Sequence, residues 1–133
     1  MRAEKAIRAL LLAAPGVVAL VADRVYPGQA PQGVAFPVLV VSHVSTVETP
    51  TIDAAAEFGL VQSRIQVAVL AKDYPAQKAL LEEVRKACNH YRGTVAGVRV
   101  VSVMRDLVGP DQRDDDMQVY LQTVDFRVTH FEP

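Results

Sequence analysis

Asp106, Asp111, Asp114, Asp115 and Asp116 form the densest concentration of chemistry-bearing side chains in the sequence. Several converging carboxylates are what a hard cation requires, but residues adjacent along a chain point apart. The run also lacks the D-x-D-x-D-G spacing and the distant glutamate of a calcium loop. The reading is therefore a solvated hairpin tip without a metal, one that can serve as an acidic docking contact. His43, His90 and His130 are far apart and belong to no H-x-x-x-H or H-E-x-x-H pattern, so no shared metal or catalytic role is expected of them. His43 is placed on the polar side of its strand and His90 near the end of a long helix, where positive charge is favourable. Ser42, Ser45, Ser63 and Ser102 fall within strands and have no G-x-S-x-G elbow around them. No glycine-rich loop leads into a helix to cradle a phosphate. Tyr26, Tyr74, Tyr91 and Tyr120 make no stacking platform flanked by basic residues. The single cysteine, Cys88, excludes an internal disulfide and a cysteine-based zinc site. Its place on a helical apolar stripe makes it a packed small hydrophobe. The expectation is a protein that is not an enzyme and needs no cofactor.

The elements that position these residues begin with a strand, a corner and a helix over residues 58–91. Val61, Ile65, Val67 and Val69 alternate, with Ser63 the single gap, and Gln62, Arg64 and Gln66 lie opposite: a strand with one buried face. Asp73 is a good N-cap, and Pro75 suits a first helical turn. Leu80, Val84, Ala87, Cys88 and Tyr91 then recur at steps of three and four, with Leu81 widening the stripe. Gly93 is the expected helix stop. Upstream, Ala3, Ile7, Leu10 and Leu11 make one face of a helix over residues 2–12, and Pro15 opens a second short helix carrying Val17, Val18, Leu20 and Val21. Residues 26–33 are turn-rich and read as a loop, and a first strand follows over 36–47, with Pro37 at its start. Residues 48–57 read as a long, mobile hairpin loop. Further strands are expected over 98–105 and 117–131, separated by a loop over 106–116. The last strand's apolar set changes parity, which a bulge near Gln122 and Thr123 would explain.

The order is α(α)-β-β-α-β-β, which predicts an α+β fold: a four-stranded, mainly antiparallel sheet with helices on one face. Its 133 residues make one domain, residues 1–133, long enough to bury roughly two thirds of its unfolded surface. Half the residues are hydrophobic and 22% are charged, an ordinary globular balance. A formal net charge of −1 gives no electrostatic case for nucleic acid. Arg2, Lys5 and Arg8 precede an uncharged run over 9–22 with the outline of a signal peptide. Pro15 and Gly16 break that run, no A-x-A site follows, and it falls short of the roughly 20 residues that span a bilayer. It reads as folded structure of a cytoplasmic chain that does not enter a membrane.

Helices on one face leave the other uncovered. Val38 and Val40 are apolar, as are Leu39 and Val41 pointing the other way; Val98 and Val100 oppose Val101 and Val103 in the same manner. Apolar residues on an uncovered face suggest a partner surface, the alternative being a long loop folded over them.

Taken together, these segments resemble the small tail-completion proteins of long-tailed bacteriophages, the tail terminator and tail-to-head joining group. The resemblance rests on the N-terminal helix, on Asp23-Arg24-Val25-Tyr26-Pro27-Gly28, and on Ala30-Pro31-Gln32-Gly33 with Phe36-Pro37 entering a strand. It continues through Arg64-Ile65-Gln66-Val67, the helix over 76–88, Arg92-Gly93-Thr94 before Val98-Arg99-Val100, and the closing Val124-Asp125-Phe126-Arg127-Val128. It covers nearly the whole chain as an overall pattern, and no single motif in it is a chemical signature. The resemblance implies a structural subunit of a hexameric ring at the head-proximal end of the tail tube. Such a ring stops tube polymerisation and meets the head connector. Its implied partners are further copies of itself, the major tail tube protein and the head–tail connector protein. Its implied place is the tail or neck of the virion, assembled in the bacterial host cytoplasm; gene transfer agents make a related use of such proteins. The family carries no catalytic residues. By position, Glu48 and Asp53 in one loop and Asp114, Asp115 and Asp116 in the other are the candidate interface residues. Rival readings are another neck or head-completion component, a small cellular α+β binding module dimerising through its sheet and, last, an enzyme built on the aspartate cluster.

Overall fold

A computed structural model describes residues 3–48 and 59–132. Helix α1 (Ala3–Ala13) buries Ala3, Ala6, Ile7, Leu10 and Leu11, the stripe expected from their spacing. Helix α2 (Pro15–Val21) starts on its proline and buries Val17 and Val21, while Val18 and Leu20 stay exposed. Helix α3 (Tyr74–Cys88) begins where Asp73 Oδ1 accepts from the Ala76 amide at 2.8 Å. Satisfying one of the free first-turn amides in this way is what makes aspartate a good N-cap. The helix ends earlier than Gly93: the Asn89 amide donates to the Arg85 carbonyl and His90 enters the left-handed region at φ 67°. Gly93, at φ 144°, instead opens a strand.

Among the described residues the sheet has seven strands where the sequence pattern predicts four. They are β1 (Val25–Pro27), β2 (Val38–Glu48), β3 (Gly59–Ala71), β4 (Gly93–Val95), β5 (Val98–Val108), β6 (Gln112–Asp114) and β7 (Val119–Glu132). The spatial order is β1-β2-β3-β7-β5-β4, with β6 paired to β7. The four long strands are those anticipated. The three additions are three-residue strands, too short to carry a period of two, and they lie in or beside segments read as loops. Two of them correct boundaries: Tyr26 and Pro27 belong to β1, which runs parallel to β2, and the segment 106–116 contains the end of β5 and all of β6.

The expected bulge is in a different strand. β7 pairs with β3 in unbroken register from Gly59↔Glu132 to Ala71↔Tyr120. The apolar parity changes because Gln122 occupies a core-facing position, bonded to Lys78 and to the Gly109 carbonyl, while Leu121 lies on the other face. The irregularities fall in β5, between Val100 and Ser102 and between Arg105 and Leu107, and in β2 between His43 and Ser45. The first of these turns Val103 onto the same side as Val98 and Val100, all three buried, and leaves Val101 exposed. The expectation that Val103 faces away from Val98 is thereby corrected.

A single core forms between one sheet face and the helices. Leu39 and Val41 from β2, Ile65, Val67 and Val69 from β3, and Val124, Phe126 and Val128 from β7 meet Ile7, Leu11, Leu80 and Val84. Cys88 is part of this cluster, and burial pushes its thiol up to about 12, so it is packing rather than a nucleophile.

Candidate functional site

On the face of the sheet opposite the helices, Gln62, Arg64 and Gln66 lie where the alternation of β3 puts them, and the apolar residues expected there are confined to the margins. The centre of this face is charged and polar. Arg64 on β3 bonds Asp125 on β7 at 3.1 Å and also Asp106 at the β5 bulge; Arg127 reaches Asp106 at 3.3 Å. Hydrogen bonds from Asp125 first and Asp106 second push the Arg64 guanidinium above its ordinary value. Two arginines and two aspartates balance, so the centre of the face is neutral. Gln62, Gln66 and Thr129 extend it. Apolar side chains lie at its margins. Near β1, a groove of about 440 Å³ is lined by Gln29, Pro31, Val34, Phe36, Leu70 and Met117. Here the loop before β2 lies over the sheet, as one of the two expected alternatives has it, and Val38 is fully buried. Elsewhere Val44, Val47, Val101, Met104, Leu107 and Val108 remain exposed.

The candidate interface residues separate into two groups. Glu48 is exposed at the end of β2, beside Val61 in the register. Asp53 lies outside the described residues. Asp114 ends β6, where its Oδ1 accepts from the Met117 amide at 3.1 Å and so shapes the turn into β7. Asp115 and Asp116 occupy that turn, exposed, with Asp115 paired to Arg113 at 3.1 Å. This is the hairpin tip that the sequence suggests. Glu48 adjoins Val61 while β6 adjoins the start of β7, whose Tyr120 faces Ala71; that length of β3 places the two groups roughly 33 Å apart at opposite ends of the sheet. Among the described residues no group of three or more histidine, cysteine or acidic side chains could hold a metal ion. None of the described helices is long and apolar enough to cross a membrane.

Asp111 is engaged apart from the tip. Tyr74 donates to it at 2.9 Å and Lys78 pairs with it, which ties the segment between β5 and β6 to α3. Lys78 first and Tyr74 second hold the Asp111 carboxyl below its ordinary range, and Asp111 in turn raises Lys78.

A polar chain that the sequence reading missed crosses the opposite end of the sheet. His43 Nε2 lies 2.6 Å from Thr46 Oγ1, Thr46 Oγ1 lies 3.0 Å from Ser63 Oγ, and Ser63 Oγ lies 2.9 Å from His130 Nε2. Ser63 and His130 are fully buried. His43 shares the parity of core-facing Ile65 yet is exposed, so its assignment to the polar face is corrected. The signal was the Ser63 gap in an otherwise apolar alternation: a buried hydroxyl needs a partner. His130, two residues along from Val128 on the same parity, supplies it.

The described residues form an α+β domain, a curled mixed sheet with helices on one face and two separate exposed ends. The comparisons with known proteins make this specific. Residues 5–130 match the family described as tail completion protein gp17, and the chain belongs to that family. It is a structural tail protein of a bacteriophage-like virion. Among solved structures, a chain in the virion of a native gene transfer agent (GTA) particle is similar with a TM-score of 0.71 and 19% identity, covering 97% of this chain and 94% of that one. At that identity the likeness concerns the fold. No curated protein matches the chain.

Proposed function

We propose that this protein is a tail terminator or tail-to-head joining subunit. In this reading six copies form a ring at the head-proximal end of the tail tube, with the major tail tube protein on one side and the head–tail connector on the other. Assembly takes place in the cytoplasm of the bacterial host. Membership of the tail completion family over residues 5–130 carries the reading. The geometry supports it: Glu48 and the Asp115–Asp116 tip are exposed at opposite ends of one sheet, as a subunit held between two neighbours requires. Asp53, next along the chain from the Glu48 end, is assigned to the same contact as Glu48. A contact that repeats head to tail closes into a ring only when its rotation closes, and otherwise it extends as a filament. A terminator combines a closing contact with a dock on the filament.

Negative-stain microscopy of particles made without this gene tests the proposal. Unjoined heads beside tails of excessive or irregular length support termination. Unjoined tails of normal length support joining. Complete particles in normal yield would overturn the proposal.

A further inference from the structure

The sheet is open on both sides, but only in part, and the two open stretches match. On the β2 side, β1 pairs with Leu39, Val40 and Val41, and the Gly28 amide donates to the Val41 carbonyl. Beyond Val41 no backbone bond reaches that edge among the described residues. On the β5 side, β4 pairs with Val98, Arg99 and Val100, and His90 and Tyr91 bond both backbone groups of Val103. Beyond Val103, the Asn89 side chain accepts from the Arg105 amide at 3.0 Å, and no backbone strand covers the edge among the described residues. Among the described residues, 43–47 of β2 and 104–108 of β5 are therefore unpaired on one side, on opposite edges of the sheet and offset by about two positions.

Unpaired strand edges are templates for adding another chain, and soluble proteins normally blunt them with charge, proline or a covering element. These two stretches carry Arg105 and Asp106 and a register irregularity each, yet they also expose apolar side chains: Val44 is 50% exposed, Val47 64% and Leu107 57%, with Met104 and Val108 beside them. We propose that neighbouring copies of this chain join by antiparallel pairing of the free stretch of β2 in one subunit with the free stretch of β5 in the next. This rests on the ring reading above and names the contact that makes the ring.

Four features of the two edges agree with a single register. β2 and β5 run in opposite directions in the sheet, so a neighbour in the same orientation presents β5 antiparallel to β2. Setting Val47 opposite Met104 also sets Val44 opposite Leu107. Val47 and Met104 both lie on the face away from the helices, so they meet on one side of the joined sheet. In the same register Glu48 lies diagonal to Arg105, both on the helix-side parity, within reach of a cross-strand ion pair. Finally, β1 below the free stretch of β2 and β4 above the free stretch of β5 act as stops against sliding, leaving five positions on each edge. Val47 is level with Ser102 in its own sheet, so pairing it with Met104 displaces each subunit by two positions along the strand direction, and the strands tilt against the ring axis, as strands do in any closed barrel. The contact is heterologous, β2 edge to β5 edge, and hence able to close into a ring. In the free subunit Asn89 occupies the Arg105 amide; pairing exchanges that exposed bond for a strand carbonyl.

The test is cross-linking with a short bis-maleimide in particles assembled with the double variant Val47→Cys and Met104→Cys, and separately with Val44→Cys and Leu107→Cys. Native Cys88 is buried and does not compete. The expected result is a ladder of species at whole multiples of the subunit mass in the double variants, with only monomer in each single variant. Both pairs are exposed positions, and thermal melting of the free variants confirms folding before assembly. Particles that contain the folded chain but give no ladder from either pair would overturn the edge contact and leave the tail-protein reading in place. Particles that lack the chain altogether would overturn both.

Discussion

The two faces of this sheet are built from the same strands and do opposite things. On the helix side Ile65, Val67, Phe126 and Val128 are fully buried against α1 and α3. On the other side their immediate neighbours Arg64, Asp125 and Arg127 form, with Asp106 of β5, a balanced ionic cluster open to solvent at its arginines. A strand's period of two makes this possible, since each residue turns to the face opposite its neighbour. The difference teaches where stability and assembly reside. The helix face supplies the folding energy, so the open face, the free strand edges and the two ends can serve other molecules without unfolding the subunit.

The sharpest way to break that comparison uses adjacent residues. Phe126→Ala removes a fully buried ring and should cost about 3–5 kcal/mol. Arg127→Ala, on the open face, should cost a small fraction of that, because exposed ion pairs contribute little. Urea denaturation of the two variants decides the matter; comparable losses would mean that the open face is also a folding surface. Next in size is Ser63→Ala. It removes the buried 2.9 Å bond between Ser63 and His130 and should cost about 1–3 kcal/mol by the same assay. Asp73→Ala should cost about 1 kcal/mol through loss of the cap on α3, read as a lower melting temperature.

These variants also show what was legible in the sequence. The buried stripe of α3, its Asp73 cap and the alternation in β3 were readable because each is a local pattern tied to a fixed period. The three-residue strands were not readable, since they exist only through backbone pairing with distant partners: β1 with β2, β4 with β5 and β6 with β7. The polar chain was half legible, because Ser63 showed a need for a partner but nothing local named His130. The acidic tip was readable as a hairpin. That Glu48 lies at the other end of the sheet followed only from the register.

Smaller effects sharpen the picture at the ends. The Asp111 carboxyl is depressed in the folded protein, so its contribution is present above the ordinary carboxylate range and is lost as pH falls below about 4 through the depressed value. The raised Lys78 contributes below its unfolded value, near 10.4, and its share is lost as pH rises beyond that. Amide protection factors, that is rates corrected for the intrinsic pH dependence of exchange, should therefore fall in the segment between β5 and β6 at both extremes while those of α3 hold. Unchanged protection factors there across that range would remove the tether. The least effect on stability is expected for Asp115→Lys with Asp116→Lys, which leaves Asp114 to shape its turn. The melting temperature should hold while the yield of joined particles falls. Normal joining by the folded variant would remove the acidic tip from the docking surface.

Hydrogen exchange on the free subunit and on the same chain in intact particles tests the division of labour most directly. The division predicts new protection on assembly at residues 43–47, 104–108 and the turn at Asp115 and Asp116, with α3 and the helix-facing core unchanged. Protection that appears instead across α1 and α3, with the strand edges and the acidic turn still exchanging freely, would contradict it.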